Sequence, residues 1–298
     1  MVVSVDGMSR PCPAPPALAK VTRLGTAGLC ASTLVPSNTL GSMSRLWRSV
    51  MSIWAWLVLG GCILVWFPAM AILRLVTAPF DPGRYAVGYL FRRIGPVMAT
   101  LNPLWHFRYA GKLPADPRRP FVVVSNHESF ADILLISHLP WEMKWLSKAE
   151  LFRIPFLGWM MQIVGDVPVK RGFGPSAVEA MSRCREILAQ RVSVMIFPEG
   201  TRSTTADLLP FKDGAFRLAI EAGVPILPLV VHGTGTALPK HDWRFGRSTA
   251  EVRVLDPIET AGLTLADVPD LRDRVRRLIV EQRERLKSSK QLEVRGEK

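Results

Sequence analysis

The chain has 298 residues, of which 48% are hydrophobic, and its formal net charge is +13 at pH 7. This length is enough for one large core with appendages, and the hydrophobic fraction indicates membrane contact. The charge suits nucleic acid or an anionic lipid surface, but the absence of a zinc finger, RNA-binding aromatic signature or basic recognition helix argues against nucleic acid.

The first 42 residues are rich in Pro, Ser, Thr, Gly and Ala and lack sustained periodicity. Such composition cannot bury enough apolar surface to offset chain entropy, so residues 1–48 are predicted to be a disordered tail. Met43 and Met51 each offer a later translation start, in which case the tail would not be made.

From Ser49 to Leu73 the chain carries no charged residue. This run is long enough to cross a hydrocarbon core of about 30 Å, which predicts a transmembrane helix over residues 49–76. A signal peptide is the alternative, although the apolar stretch is long for one. Basic residues are more frequent after the helix than before it, which places the C-terminal domain in the cytoplasm by the positive-inside rule.

Two further apolar segments are ambiguous. Residues 77–115 mix apolar residues with arginines, which predicts helices that lie at the membrane interface or pack against the domain. The segment from Ile154 to Val164 is apolar except at Gln162 but too short to span a bilayer. It is either a buried helix or a ledge that dips into lipid.

Residues 116–260 alternate strand-like and helix-like segments, which predicts an α/β layered domain with a mostly parallel sheet flanked by helices. The predicted strands are Phe121–Ser125, Trp145–Ser147, Val167–Val169, Val192–Phe197, Ile226–Val231 and Glu251–Leu255. The predicted helices lie near Ala131–His138, Ser176–Ala189, Phe211–Ala222 and Asp270–Lys287. Residues 261–298 form a C-terminal helix and tail whose many charges indicate a solvated face.

The segment from Asn126 to Asp132 directly follows the predicted strand that ends at Ser125. Strand ends are where α/β folds keep reactive groups. On a continuous helix His127 and Asp132 would point about 140° apart, so they meet only if His127 precedes the helix and Asp132 lies in its first turn. Ser129 supports such a helix start, because Ser-x-x-Asp is a capping pattern.

Two interpretations of this pair remain open. Asp132 is either a capping carboxylate or the partner that orients His127 as a general base toward a substrate hydroxyl. His127 is correspondingly either a structural histidine or that base. A zinc site is excluded here, because position 131 is Ala131 and the second histidine of the helical metalloprotease spacing is missing.

A second strand, Val192–Phe197, ends in a turn that Pro198 and Gly200 impose. Gly200 permits close backbone approach, and Arg202 offers a planar fork suited to a phosphate. Arg171, after the neighbouring strand, offers another, although a lone arginine is more often a solvated charge. Glu199 either orients Arg202, binds a glycerol or pairs with a lysine.

Four segments resemble the ordered signatures of the glycerolipid acyltransferases, the family that includes bacterial 1-acyl-glycerol-3-phosphate acyltransferases. The first is Asn126-His127 followed by four residues and Asp132. The others are residues 165–171, 197–203 and 224–228, and residues 148–158 between the first two also look like the family. The resemblance covers roughly residues 104–257.

The resemblance implies acyl transfer from acyl-CoA or acyl carrier protein to the sn-2 hydroxyl of a lysophospholipid, 1-acyl-glycerol-3-phosphate, without a metal or other cofactor. It implies partners that are membrane lipids, a location at the bacterial inner membrane, and catalysis by His127 and Asp132. The implied substrate-binding residues are Asn126, Arg171, Glu199, Gly200, Thr201 and Arg202. The alternatives are acylation of another lysolipid, such as a lyso-ornithine lipid, and a non-catalytic lipid-binding protein.

Overall fold

The computed structural model describes residues 45–202, 207–238 and 242–296. The helices are α1 (Arg45–Thr77), α2 (Tyr85–Arg92), α3 (Ile94–Leu101), α4 (Ala131–Ile136), α5 (Leu157–Val164), α6 (Gly174–Ala189), α7 (Gly214–Ala222) and α8 (Val268–Gly296). The strands are β1 (Trp105–Gly111), β2 (Val122–Ser125), β3 (Met143–Lys148), β4 (Val167–Val169), β5 (Ser193–Ile196), β6 (Ile226–His232) and β7 (Ser248–Val254). Short 3-10 helices span Ala149–Arg153, Thr234–Thr236 and Leu265–Asp267.

All seven strands form one sheet in the order β1-β7-β6-β2-β5-β3-β4. Every neighbouring pair is parallel except β6 and β7. The predicted α/β domain with a mostly parallel sheet is thus confirmed. Because β2 lies between β5 and β6 and runs parallel to both, the carboxyl ends of these three strands meet at one edge of the sheet.

Strand β2 is buried on both faces, which explains why it reads as a continuous apolar run. Val122 and Val124 belong to a core formed with α6, α7 and α8. Val123 belongs to the opposite core, together with residues of α4. The predicted strands and helices of the domain are found with shifted ends.

Two boundaries predicted from the sequence are wrong. Residues 105–111, assigned to the helical segment 77–115, form the edge strand β1, which pairs with β7 along its whole length. Four of the seven residues of β1 are exposed, so this strand lacks the continuous apolar run of a strand that is buried on both faces. Residues 45–48, assigned to the tail, begin helix α1, and the rest of the tail lies outside the described residues.

The C-terminal helix α8 is an integral part of the domain rather than a solvated appendage. Its apolar residues Leu271, Val275, Ile279 and Leu286 are buried in the core that contains β2. The spacing of these residues is that of one helix face, and the numerous charges lie mostly on the others.

Helix α1 carries the predicted apolar segment and is long and apolar enough to cross a membrane, with a mean hydropathy of 2.2 over an 18-residue window. One face, with Ala55, Cys62 and Met70, packs into a cluster that includes residues of α2, α3 and α5. Many of its other large apolar side chains are exposed, among them Leu57, Leu64, Val65, Ile72 and Leu75. The helix therefore combines one face packed on the domain with one uncovered apolar face.

Helix α5 resolves the ambiguity of the segment from Ile154 to Val164. Met160 and Val164 are fully buried and pack in the same cluster as α1. Phe156 and Trp159 are exposed beside Phe67 of α1. The helix is thus buried on one side, as one sequence interpretation had it, and presents aromatic rings on the other. Insertion of these rings into lipid stays a prediction.

Candidate active site

The loop after β2 is fixed to the neighbouring strand β6 by Asn126. The Asn126 amide donates to the Val231 carbonyl at 2.8 Å and accepts the Val231 N–H at 2.9 Å. Because this buried side chain uses both its donor and its acceptor on the backbone, it sets where the chain leaves the sheet. Asn126 therefore positions His127 at the carboxyl edge of the sheet, where the sequence placed it.

His127 and Asp132 meet as the spacing predicts. His127 Nδ1 lies 2.7 Å from Asp132 Oδ2, and Asp132 is completely buried. The same oxygen accepts the backbone N–H groups of Glu128 at 2.7 Å and Ser129 at 2.9 Å, while Oδ1 accepts the Thr234 hydroxyl. These donors fix the Asp132 carboxylate, which accepts a hydrogen bond from His127 Nδ1–H. The proton of the neutral imidazole therefore stays on Nδ1, and the lone pair of Nε2 points away from Asp132.

Ser129 does not cap the helix in the predicted way. Helix α4 begins at Ala131, and Phe130, at the capping position, makes no side-chain bond. The Ser129 hydroxyl accepts the Ala131 N–H at 3.3 Å, while Asp132 answers the Ser129 N–H. The acidic half of the capping box is thus present, while the serine hydroxyl accepts the Ala131 N–H because the Asp132 N–H donates to the Ser129 carbonyl at 3.2 Å.

Phe197, at the end of β5, covers the His127 ring. The two rings are stacked, with centroids 4.0 Å apart and planes 15° apart. This contact fixes the plane of the imidazole, complementing the in-plane bond from Asp132. The sequence offered a signal for it, since Phe197 ends a strand that neighbours β2, but ring contact cannot be derived from strand order alone.

Glu199 braces the loop from the other side. Its carboxylate accepts the His127 N–H at 2.8 Å and the Leu209 N–H at 3.0 Å. Burial raises the pKa of this carboxyl, although the two amide bonds act in the opposite direction. Both of these contacts are with backbone N–H groups. Two of the sequence alternatives, orientation of Arg202 and pairing with a lysine, do not describe them. Substrate binding by Glu199 stays a prediction.

Gly200 has a φ of +70°, and a Cβ at this position would lie 2.8 Å from Lys212 Nζ. The sequence predicted a close approach to the backbone at Gly200, and the Lys212 side chain makes it. Thr201 next to it is exposed and Arg202 is half-buried. Their roles toward substrate stay predictions.

Arg171 lies apart from the histidine loop. It lines an open cleft of about 540 Å³ together with Lys148, Glu150, Arg153, Lys170 and Phe173. In the described residues no hydrogen bond joins Arg171 or Arg202 to His127 or Asp132. Hydrogen bonds thus join His127 to Asp132 and to Glu199, while Asn126 is bonded to the Val231 backbone beside them. Arg171 lies in a cleft lined by other basic residues.

Thr234 and Arg283 are site residues that the sequence interpretation missed. Thr234 lies in the glycine-rich turn after β6 and is fully buried against Asp132. Arg283, on the charged helix α8, pairs with Glu128 at 2.8 Å. Each partner is more than a hundred residues away, so only the folded chain brings them together.

Residues 106–232 match the family model described as Acyltransferase. Human 1-acyl-sn-glycerol-3-phosphate acyltransferase alpha is 41% identical over 162 residues, which are 54% of this chain and 57% of that protein. The chloroplastic 1-acyl-sn-glycerol-3-phosphate acyltransferase BAT2 of Brassica napus is 46% identical over 120 residues, which are 40% of this chain and 35% of that protein. The chain therefore spans between 35% and 57% of the length of these two curated relatives.

The fold is also similar to a solved structure, that of the 1-acyl-sn-glycerophosphate (LPA) acyltransferase PlsC from Thermotoga maritima. The TM-score is 0.69 at 24% sequence identity, and the match covers 82% of this chain and 98% of that one. At this identity the likeness supports the fold. The match over residues 106–232, which contain His127 and Asp132, confirms the resemblance of the sequence motifs to the glycerolipid acyltransferases.

Proposed function

We propose that the chain moves a fatty acyl group from acyl-CoA or acyl carrier protein to the sn-2 hydroxyl of 1-acyl-glycerol-3-phosphate, which gives phosphatidic acid. The observation that carries this proposal is the pairing of His127 Nδ1 with the buried Asp132 carboxylate at a strand end. This pairing leaves Nε2 as the basic nitrogen, the arrangement that a general base for a hydroxyl requires.

In the proposed reaction, His127 Nε2 takes the proton of the acceptor hydroxyl as its oxygen attacks the thioester carbonyl carbon. The tetrahedral intermediate then breaks its carbon–sulfur bond, and the imidazolium returns the proton to the departing thiolate. The Asp132 carboxylate stabilises the imidazolium and holds its orientation. The products are the ester and a free thiol, and the sequence calls for no metal or redox cofactor in these steps.

Transfer in this proposal is direct, without an acyl-enzyme. Cys184 is fully buried in α6, and burial raises the pKa of its thiol to about 12, so it is not a nucleophile at neutral pH. The Ser129 hydroxyl accepts a backbone N–H and faces the Leu238 carbonyl at 3.5 Å. Intersecting initial-rate lines are therefore expected, and parallel lines or a labelled acyl-protein would contradict direct transfer.

The choice of a phosphate-bearing acceptor rests on the names of the relatives and on the basic cleft at Arg171. The cleft is lined by four basic residues and one acidic residue, so it is suited to an anionic group. The exposed apolar face of α1 supports membrane attachment, where the lipid acceptor resides. The arginine distribution around α1 supports a catalytic domain on the cytoplasmic side.

The test is to incubate membranes that contain the protein with labelled acyl-CoA or acyl carrier protein and a panel of lysolipids, then to identify each product by mass. The panel includes 1-acyl-glycerol-3-phosphate, other lysophospholipids and lyso-ornithine lipid. Membranes with the His127→Ala variant provide the background. Phosphatidic acid as the main product supports the proposal. Preferential acylation of lyso-ornithine lipid would replace the acceptor, and no product with any lysolipid would favour a non-catalytic lipid-binding protein.

A further inference from the structure

Helix α8 places one arginine inside the protein, at the loop that carries His127. Arg283 is 8% exposed, and its Nε donates to Glu128 Oε1 at 2.8 Å. The helix lies beyond residues 106–232, the segment that matches the family model. By contrast, Arg285 of the same helix pairs with Glu281 on the surface, where both side chains are exposed.

Glu128, the partner of Arg283, is connected to the catalytic pair through two further contacts. Its backbone N–H donates to Asp132 Oδ2 at 2.7 Å, the oxygen that also faces His127. Its second carboxylate oxygen accepts the Gly233 N–H at 3.1 Å, in the turn that carries Thr234. Glu128 therefore joins α8, the histidine loop and the turn after β6.

The charges agree with this connection. Burial acts to raise the pKa of Glu128, but His232 and Arg283 lower it by more, so the pKa of this carboxyl lies below its ordinary value. His232 Nδ1 is 3.8 Å from the carboxylate, too far for a hydrogen bond, so Arg283 makes the direct contact. Arg283 also acts to lower the pKa of Glu199, which burial raises and whose carboxylate holds the His127 N–H. The positive charge of Arg283 thus acts to lower the pKa of both Glu128 and Glu199, the two glutamates next to the histidine loop.

We infer that Arg283 is a positioning residue for His127, which acts through Glu128 and makes the C-terminal helix part of the catalytic apparatus. This inference rests on the proposed acyl transfer. If Arg283 is removed, Glu128 is left as a buried carboxylate without its cation and turns toward water or another donor. Its backbone N–H then leaves Asp132, and the imidazole loses the orientation that the transfer step needs.

The test uses the purified full chain and four variants: Arg283→Gln, Glu128→Gln, the double variant and Arg283→Lys. Arg285→Gln is the matched control, since it removes an exposed ion pair from the same helix. We expect each single glutamine variant to lose about 10- to 100-fold in kcat, the effect of one charge-assisted hydrogen bond, with little change in KM for donor or acceptor. We expect the double variant to be no slower than the slower single variant, Arg283→Lys to recover part of kcat, and Arg285→Gln to equal the wild type.

A second measurement does not depend on turnover. The chain has five histidines, so the His127 imidazole resonances in detergent can be assigned by comparison with His127→Ala. We expect Arg283→Gln to shift them and Arg285→Gln to leave them unchanged. Unshifted resonances in a folded Arg283→Gln protein, wild-type kcat, or losses that multiply in the double variant would overturn the inference. Should the Arg283→Gln protein fail to fold, Arg283→Lys is judged by the same criteria. A wild-type chain that acylates no lysolipid would instead overturn the proposed function, and the resonances would still decide whether Arg283 orients His127.

Discussion

Thr234 donates its hydroxyl to Asp132 Oδ1, while Oδ2 of the same carboxylate faces His127. We predict that Thr234→Val lowers kcat, because the carboxylate loses one of the donors that hold its plane. A hydrogen bond to a charged group is worth about 1.5–3 kcal/mol, so the loss should be about 10- to 100-fold. Thr236→Val is the matched control, since its exposed hydroxyl bonds only the Arg247 carbonyl among the described contacts. Equal kcat values for the two variants would exclude this role.

The basic residues of the predicted acceptor site give a second test. Arg171→Ala and Arg202→Ala are each expected to raise the KM for a phosphate-bearing acceptor more than the KM for the thioester donor. The expected loss of acceptor binding free energy is about 2 kcal/mol. This value is the low end of the range for removing one partner of a charge pair, and it is chosen because Arg171 is exposed. Arg191→Ala is the control, as this exposed arginine pairs with Asp116 elsewhere. A similar rise for both substrates would indicate that the arginines stabilise the fold instead.

The site residues differ in how far the sequence could predict them. His127 and Asp132 lie within one strand–turn–helix segment, so local geometry alone determines that they can meet. Thr234 and Arg283 reach the site only because β6 lies beside β2 and α8 packs on the sheet. The sequence around Thr234 and Arg283 contains no pattern that indicates these contacts, because the contacts depend on the tertiary arrangement.

At the scale of elements, four buried charged side chains attach α2 to the sheet. Arg92 pairs with Asp166 at the start of β4, and Lys144 of β3 donates to Glu142 at 2.9 Å. All four side chains are buried, and their charges balance. Removing one member of such a group leaves an uncompensated charge, at a cost of about 3–5 kcal/mol. The network therefore determines where α2, and with it α1, contacts the domain.

Gly88 of α2 provides a test of this attachment. A Cβ at this position would lie 2.1 Å from Glu142 Oε1 and 2.6 Å from Lys144 Nζ. We predict that Gly88→Ala lowers the free energy of unfolding by about 1–3 kcal/mol through overpacking, as measured by denaturant titration in detergent. Gly214→Ala in α7 is the control. Its Cβ would meet only Met181 Sδ at 3.8 Å, so it should be neutral or stabilise by about 0.5–1 kcal/mol. Equal stabilities would mean that α2 shifts freely on the sheet.

The elements that the sequence predicted well are those with an unambiguous period or a continuous apolar run. Strands β2 and β5 are buried on both faces, and helix α6 is long. Strand β1 was missed although its aromatic residues alternate at the period of a strand, because it follows the apolar helices α2 and α3 and pairs only with β7, which is far away in the sequence. For α8, the charges obscured an apolar stripe that becomes evident only when the sheet is beside it.

At the scale of the whole molecule, α1 has two roles that a truncation can separate. Deleting residues 1–42 is predicted to leave activity and membrane attachment unchanged. Deleting through Leu73 also removes the helix that covers Val87, Ile94 and Met98, so membrane retention should fall and the protein should aggregate. Fractionation with a carbonate wash measures retention. Full retention of the longer truncation would mean that the rest of the domain, with the exposed aromatic residues Phe156 and Trp159, is the main anchor.

In the proposed reaction His127, oriented by Asp132, removes the proton of the acceptor hydroxyl. The most direct measurement is the initial rate of acyl transfer to 1-acyl-glycerol-3-phosphate by purified wild type, His127→Ala and Asp132→Asn at saturating donor. General base catalysis is worth about 10²–10⁴-fold, so His127→Ala should lose at least that much while its melting temperature and membrane attachment are retained. Asp132→Asn should also be strongly slowed, because the amide neither fixes the proton on Nδ1 nor stabilises the imidazolium. Near-normal turnover by folded His127→Ala protein would contradict the account.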